Sequence, residues 1–213
     1  MSPAVYLASQ SPRRRELLEQ MGVRFEVLDV LVPEELQVNE APADYVQRVA
    51  IEKAQAGVEM LEKNELEMNK SALSNWQSTK KRATIGLVIG ADTTVVCDDQ
   101  ILGKPESVEH AEEMLSQLSA KTHEVYTGVA VYSSRILAVT SRTLVTFKRL
   151  SPYEIKRYIA TNEGCDKAGS YAVQGLAAIF IENLQGSYSG VMGLPLFETA
   201  SLLAQSGADI LSA

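Results

Sequence analysis

Val5-Tyr6-Leu7-Ala8-Ser9-Gln10-Ser11-Pro12-Arg13-Arg14-Arg15 is the stretch on which the fold turns. Its first four residues read as a short buried strand. Ser9-Gln10-Ser11 is a turn, and Pro12 opens a helix that runs to Gln20 and stops at Gly22. Ser11 as N-cap, Pro12 at the first helical position and Gly22 beyond the end follow the usual asymmetry of helix ends. The first turn of this helix carries three arginines, although the partial positive charge of a helix start favours acidic residues. The pattern is unfavourable unless an anion neutralises it. A phosphate does so through backbone N–H groups, hydroxyls and guanidinium forks; salt bridges to Glu16 or Glu19 are the plainer alternative.

Downstream, Phe25-Glu26-Val27-Leu28 reads as a second strand, followed by a polar loop with Pro33, Glu34 and Glu35. Pro42 starts a longer helix, to about Lys63, with an apolar stripe of Tyr45, Val46, Val49, Ala50, Ala54, Val58 and Leu61. Residues 64–84 lose that periodicity and read as an extension of the helix fraying into an exposed insertion. Leu87-Val88-Ile89 and Thr94-Val95-Val96 read as a strand interrupted around Asp92. A helix is expected over Glu106–Leu118, and a meander over Glu124–Tyr132, Ile136–Ser141 and Thr143–Lys148. Ser151-Pro152-Tyr153-Glu154 is a capping box opening a helix. Ala177–Glu182 reads as a strand, and Pro195 opens the last helix. Hairpins mixed with helices give an α/β fold with a mixed sheet.

The chain has 213 residues, 46% hydrophobic and 22% charged, with a formal net charge of -7. The acidic balance argues against nucleic acid as a partner but not against a small anion held by a local arginine cluster. Cys97 and Cys165 form no disulfide framework or metal-ligand pattern, which fits a reducing compartment. Met1 to Ala8 is too short and uncharged for a signal peptide. No apolar run reaches ~18 residues, so no membrane span is expected. A cytoplasmic protein is the resulting expectation.

Lys53 falls on the apolar stripe of the long helix, so it must either snorkel to solvent or meet a negative partner. Asp92 is disfavoured in a strand and seldom buried unpaired. It either holds a divalent metal or orients a water, or else forms an Asx turn or bulge beside Gly90. Gly103-Lys104-Pro105 and Asp166-Lys167-Ala168-Gly169-Ser170 add two lysines in turns. His110 and His123 are isolated and read as surface or packing residues. No P-loop, G-x-S-x-G or H-E-x-x-H pattern occurs in the sequence.

Taken in order, these segments resemble the Maf family of nucleotide pyrophosphatases. The matching stretches are Leu7 to Arg14, Glu52-Lys53-Ala54, Gly90-Ala91-Asp92-Thr93, Gly103-Lys104-Pro105, Asp166 to Tyr171, Gln174-Gly175 and Gly193-Leu194-Pro195-Leu196. The resemblance implies a single Maf-like domain over residues 1–213, two-lobed with a cleft, and a homodimer. It implies hydrolysis between the α and β phosphates of a nucleoside triphosphate with Mg²⁺ or Mn²⁺. On it, Asp92 matches the proton acceptor. Ser9, Arg13, Arg14, Glu34, Lys53, Lys104 and Lys167 match the polar cleft residues, with Lys53 and Lys104 assisting catalysis and Glu34 and Asp92 holding the metal. Arg13, Thr93 and Gln174 match positions that separate the branches, and here resemble the branch acting on dTTP and UTP. The chain departs from the family pattern in the length of the segment from Asn64 to Arg82, at Ala172-Val173 and at Ser189-Gly190. Two other readings stand beside this one: the same chemistry on a modified nucleotide such as 7-methyl-GTP, and a nucleotide-sensing regulator of cell division that does not hydrolyse.

Overall fold

The computed structural model describes residues 3–72 and 86–211, with the side chains of 68–72 excepted. Its centre is a seven-stranded mixed sheet in the order β2-β1-β3-β5-β6-β7, with β4 paired to β3. The strands are β1 (Val5–Leu7), β2 (Glu26–Val27), β3 (Leu87–Cys97), β4 (Gln100–Leu102), β5 (Thr122–Tyr132), β6 (Ile136–Phe147) and β7 (Ile181–Gln185). The helices are α1 (Pro12–Gln20), α2 (Pro42–Ala72), α3 (Val108–Leu118), α4 (Pro152–Ile159), α5 (Tyr188–Met192) and α6 (Leu196–Gln205). β1 runs parallel to β2 and β3, while β3, β5, β6 and β7 pair antiparallel. The mixed α/β sheet expected from the sequence is therefore present.

Two apolar clusters lie along the long strands. One gathers Leu7, Leu17, Leu18, Ile89, Val129 and Leu203 beneath α1 and α6. The other gathers Val95, Leu115, Leu118, Phe147, Ile155 and Phe180 beneath α3 and α4. The lobes thus share one sheet, and β3 passes from the first into the second. His123 packs in the second. Its Nε2 lies 2.9 Å from the Tyr171 hydroxyl and its ring meets Phe147 edge-on. Burial pushes its pKa down to about 4, so it is a neutral core residue at pH 7.

Several sequence expectations are corrected. β3 is one unbroken strand, with Asp92 paired opposite Gly128, so there is no bulge beside Gly90. Strand alternation explains why Asp92 fits there: Val88, Gly90 and Asp92 face α2, whereas Ile89 and Ala91 pack into the cluster under α1 and α6. β6 is likewise continuous where two strands were expected. Ser11 holds the N-cap position of α1, but its side chain caps nothing; its own N–H reaches Ser9 Oγ at 3.3 Å. Ala177–Glu182 is not a strand at its start. Residues 176–180 form 3-10 turns, because the Leu176 and Ala177 N–H groups donate to the Glu163 carboxylate instead of a ladder. α2 continues through residue 72, so the start of the 64–84 segment extends the helix, as expected from the sequence, and Leu66 is exposed. The rest of that segment, from residue 73, lies outside the described residues.

Two glycines set how closely α2 lies on the sheet. A Cβ at Gly90 would stand 2.1 Å from the Ala50 carbonyl oxygen, and one at Gly128 2.3 Å from that of Val46. Backbone meets backbone there, so neither contact can yield by a side-chain rotation. Gly90→Ala is therefore expected to push α2 off β3 and to lower stability by about 2 kcal/mol in a guanidinium titration. An unchanged denaturation midpoint would show that the helix is not held at this distance.

Candidate active site

The close approach of α2 carries Lys53 to the sheet. Its Nζ lies 2.8 Å from Asp92 Oδ1 and 2.6 Å from Glu34 Oε1, and 3.5 Å from the Ala91 carbonyl. Lys53 and Asp92 are both buried. The pairing answers what the sequence left open: neither charge is unpartnered, and neither serves a turn. Burial raises the Glu34 pKa, but the Lys53 charge and hydrogen bond, with Lys104 and Arg14 beyond, outweigh it and hold the carboxyl below its ordinary range. Tyr45, in the first turn of α2, donates to the Glu34 carbonyl at 3.0 Å and fixes the loop. Its pKa is pushed up to about 12 by burial, then by the charges of Asp92 and Glu34.

On the other side of β3, Arg14 is buried and braced. Its Nε donates to the Gly193 carbonyl at 2.8 Å, one terminal nitrogen to Ser9 Oγ at 3.0 Å, and the other to Thr93 Oγ1 at 3.3 Å. One guanidinium thus ties the first turn, β3 and the C-terminal Gly193 together. Gly193 adopts φ 117°, a left-handed region that suits glycine and ends α5. Burial lowers the Arg14 pKa, opposed by Asp92 and Glu34. Thr127 extends the brace, 3.0 Å from Thr93 Oγ1 and 2.8 Å from the Gly190 carbonyl.

Arg13 is freer. It is partly exposed, and its nearest acid, Asp166, stands at 3.9 Å. Lys167 leans on Asp166 and on the Glu163 carbonyl. The Lys104 turn is tied to the Lys167 turn by a 3.1 Å bond from Gly169 N–H to the Gly103 carbonyl.

Most of these groups line one cavity of about 640 Å³, with Thr127 and Glu163 outside its lining. Ser9, Arg13, Arg14, Glu34, Lys53, Asp92, Thr93, Lys104, Lys167 and Gln174 line it, so the structure brings every sequence-predicted site residue to one place. Glu35 is not among them; its carbonyl accepts from Arg48. His110 lies at the start of α3, where its Nδ1 accepts from Glu106 N–H. Sequence reasoning missed the supporting groups Tyr45, Thr127 and Glu163. Tyr45 had a visible signal, a hydroxyl on an apolar stripe; the other two had none. Five cationic and three acidic side chains line the cavity, so its sign is opposite to the chain's net charge of -7. Its size and charge suit a small polyanion.

The family described as Maf-like protein matches residues 4–206. The chain belongs to this family. It is similar to a dTTP/UTP pyrophosphatase of Alkalilimnicola ehrlichii, 49% identical over 97% of this chain and 95% of that protein. Proteins of the same name from Nitrosomonas europaea and Aromatoleum aromaticum are 45% and 46% identical, covering 97% and 95% of this chain and 96% and 95% of theirs. A nucleoside-triphosphatase / dITP/XTP pyrophosphatase from Mycobacterium abscessus is a remote structural likeness, with TM-score 0.36 and 16% identity over 69% of this chain and 75% of that one.

The brace at Arg14 yields a prediction. A lysine ammonium cannot span the three acceptors that the planar fork reaches. Arg14→Lys is expected to cost about 2 kcal/mol of stability, read as a lower unfolding midpoint. Arg13→Ala, at a weakly paired and partly exposed site, is expected to stay within about 0.5 kcal/mol of the parent. Equal midpoints for the two variants would contradict the brace.

Proposed function

We propose that this Maf-like protein hydrolyses dTTP and UTP to the nucleoside monophosphate and pyrophosphate. The observation that carries the reading is the convergence of Lys53, Asp92 and Glu34 with Arg13, Lys104 and Lys167 around one cavity. The names of relatives 45–49% identical along nearly their full lengths support the substrate.

In this reading the triphosphate lies against the Ser9–Arg13 turn. Backbone N–H groups at the start of α1 and the Arg13 guanidinium grip it. Arg14 adds its charge from behind while bracing the turn. Lys53, Lys104 and Lys167 offset the charge that gathers on the phosphate oxygens in the transition state. Asp92 accepts a proton from water as the water oxygen bonds to phosphorus. The bridging bond between the α and β phosphates breaks, and pyrophosphate leaves. On the base side, the Gln174 amide donates to the O4 carbonyl of uracil or thymine and accepts from N3–H.

The donor set also suits a divalent cation. Asp92 and Glu34 are hard oxygen ligands whose Oδ1 and Oε1 meet at the Lys53 ammonium; the second oxygen of each carboxylate would serve a cation, and Mg²⁺ is commonly held by one or two carboxylates plus substrate phosphates. Among the described residues there is no group of three acidic, histidine or cysteine ligands, so the phosphates would complete the shell. A bound Mg²⁺ or Mn²⁺ would neutralise phosphate charge and polarise the reacting phosphorus.

The test is to incubate the purified protein with dTTP or UTP and Mg²⁺ or Mn²⁺ and identify both products. Monophosphate and pyrophosphate are expected; diphosphate and inorganic phosphate would contradict the cleavage site. Asp92→Asn is expected to keep nucleotide binding while turnover falls on the order of 100-fold or more. A fully active variant removes Asp92 from the mechanism.

A further inference from the structure

Gln174 sits at the tip of a tight turn, closed by a 3.1 Å bond from Gly175 N–H to the Ala172 carbonyl. Among the described residues no hydrogen bond holds its side chain, and the residue is exposed. The turn is instead gripped from beneath by two side chains outside the cavity lining. Glu163 Oε2 accepts from Leu176 N–H at 2.8 Å, and its Oε1 accepts from Ala177 N–H at 3.2 Å. The Tyr158 hydroxyl donates to the same Oε1 at 2.9 Å and accepts from Ala172 N–H at 3.2 Å. One carboxylate and one phenol therefore hold the N–H groups at both ends of the turn.

The fit is close. A Cβ at Gly175 would stand 2.3 Å from Glu163 Oε2, so the carboxylate occupies the space that glycine leaves. Burial raises the Glu163 pKa, but the Leu176 and Ala177 N–H groups, Tyr158 and Lys167 outweigh it and keep the group ionised. An ionised carboxylate only accepts, which suits three donors converging on it. The Glu163 backbone carbonyl meanwhile receives the ammonium of Lys167, which lines the cavity.

We propose that Glu163, acting with Tyr158, is a positioning residue for base recognition: the pair sets the height and angle at which Gln174 meets the base. This rests on the reading that Gln174 faces the base of the nucleotide. Uracil and cytosine differ at the O4/N4 and N3 positions that such an amide reads, so the UTP-to-CTP preference reports its placement.

The experiment measures kcat and KM for UTP and CTP with the wild-type protein, Glu163→Gln, Tyr158→Phe and Gln174→Ala, at fixed Mg²⁺. A glutamine at 163 must turn its NH₂ toward a donor in either orientation. Tyr158→Phe removes the tie to Ala172 while leaving Glu163 its bonds to Leu176 and Ala177, so it decides the matter if Glu163→Gln does not fold. Both variants are expected to lower the UTP/CTP ratio of kcat/KM on the order of tenfold, chiefly by raising KM for UTP, with kcat for UTP within about threefold. An unchanged ratio, or equal losses on both substrates, overturns the positioning role while Gln174→Ala still shifts the ratio. If Gln174→Ala leaves the ratio untouched, the base reading itself fails and the proposal falls with it.

Discussion

The ammonium of Lys53, held between the carboxylates of Asp92 and Glu34, is the interaction on which the molecule depends. Charges removed from water are tolerated only when paired, and loss of one partner from a buried pair costs roughly 3–5 kcal/mol. The triad therefore constrains everything that delivers its members. α2 must lie almost in backbone contact with β3 and β5, which is why Gly90 and Gly128 lack side chains facing it. The Glu34 loop must be pinned, which Tyr45 does. β3 must run unbroken past Asp92, so the aspartate faces the helix while Thr93 faces Arg14 on the opposite side. One strand thereby connects the acid to the Ser9–Arg13 turn.

The arrangement also reconciles two features that pull against each other. The protein carries a net charge of -7, yet its cavity gathers more cations than acids. Local fields in a partly buried cleft exceed distant charges, which water and salt screen. The arginines divide the labour. Arg14 is committed to protein acceptors and shapes the turn, whereas among the described residues Arg13 has only a long contact to Asp166, which leaves it able to turn toward a ligand. Groups held rigidly before a ligand arrives cost little reorganisation when charge develops, which is the usual source of electrostatic catalysis.

Much of this was legible in the sequence, because local chemistry dictated it. The strand–turn–helix at Val5–Gln20 and the capping box at Ser151–Glu154 were readable from residues a few positions apart. Lys53 and Asp92 were legible as misfits, a cation on an apolar stripe and an acid in a strand. Their partnership was not, because it joins positions 39 apart through the packing of α2 on β3. The expected break at Asp92 failed because tertiary pairing with Lys53 overrides strand propensity. The expected strand at Ala177 failed for a similar reason, since Glu163 takes two N–H groups that a ladder needs. Arg14 read as a phosphate ligand; that its donors reach Gly193, almost the full length of the chain away, no local pattern reveals.

The proposed chemistry requires that one cavity hold a nucleoside triphosphate with its phosphates beside Lys53 and Asp92. The most direct measurement is a crystal structure with the non-hydrolysable α,β-imido analogue of dTTP and Mg²⁺. The triphosphate is expected against the Ser9–Arg13 turn, with the α–β bridge beside Lys53 and Asp92 and the thymine toward Gln174. An analogue bound on another face, or seated in this cavity with its phosphates turned away from Asp92, would contradict that chemistry.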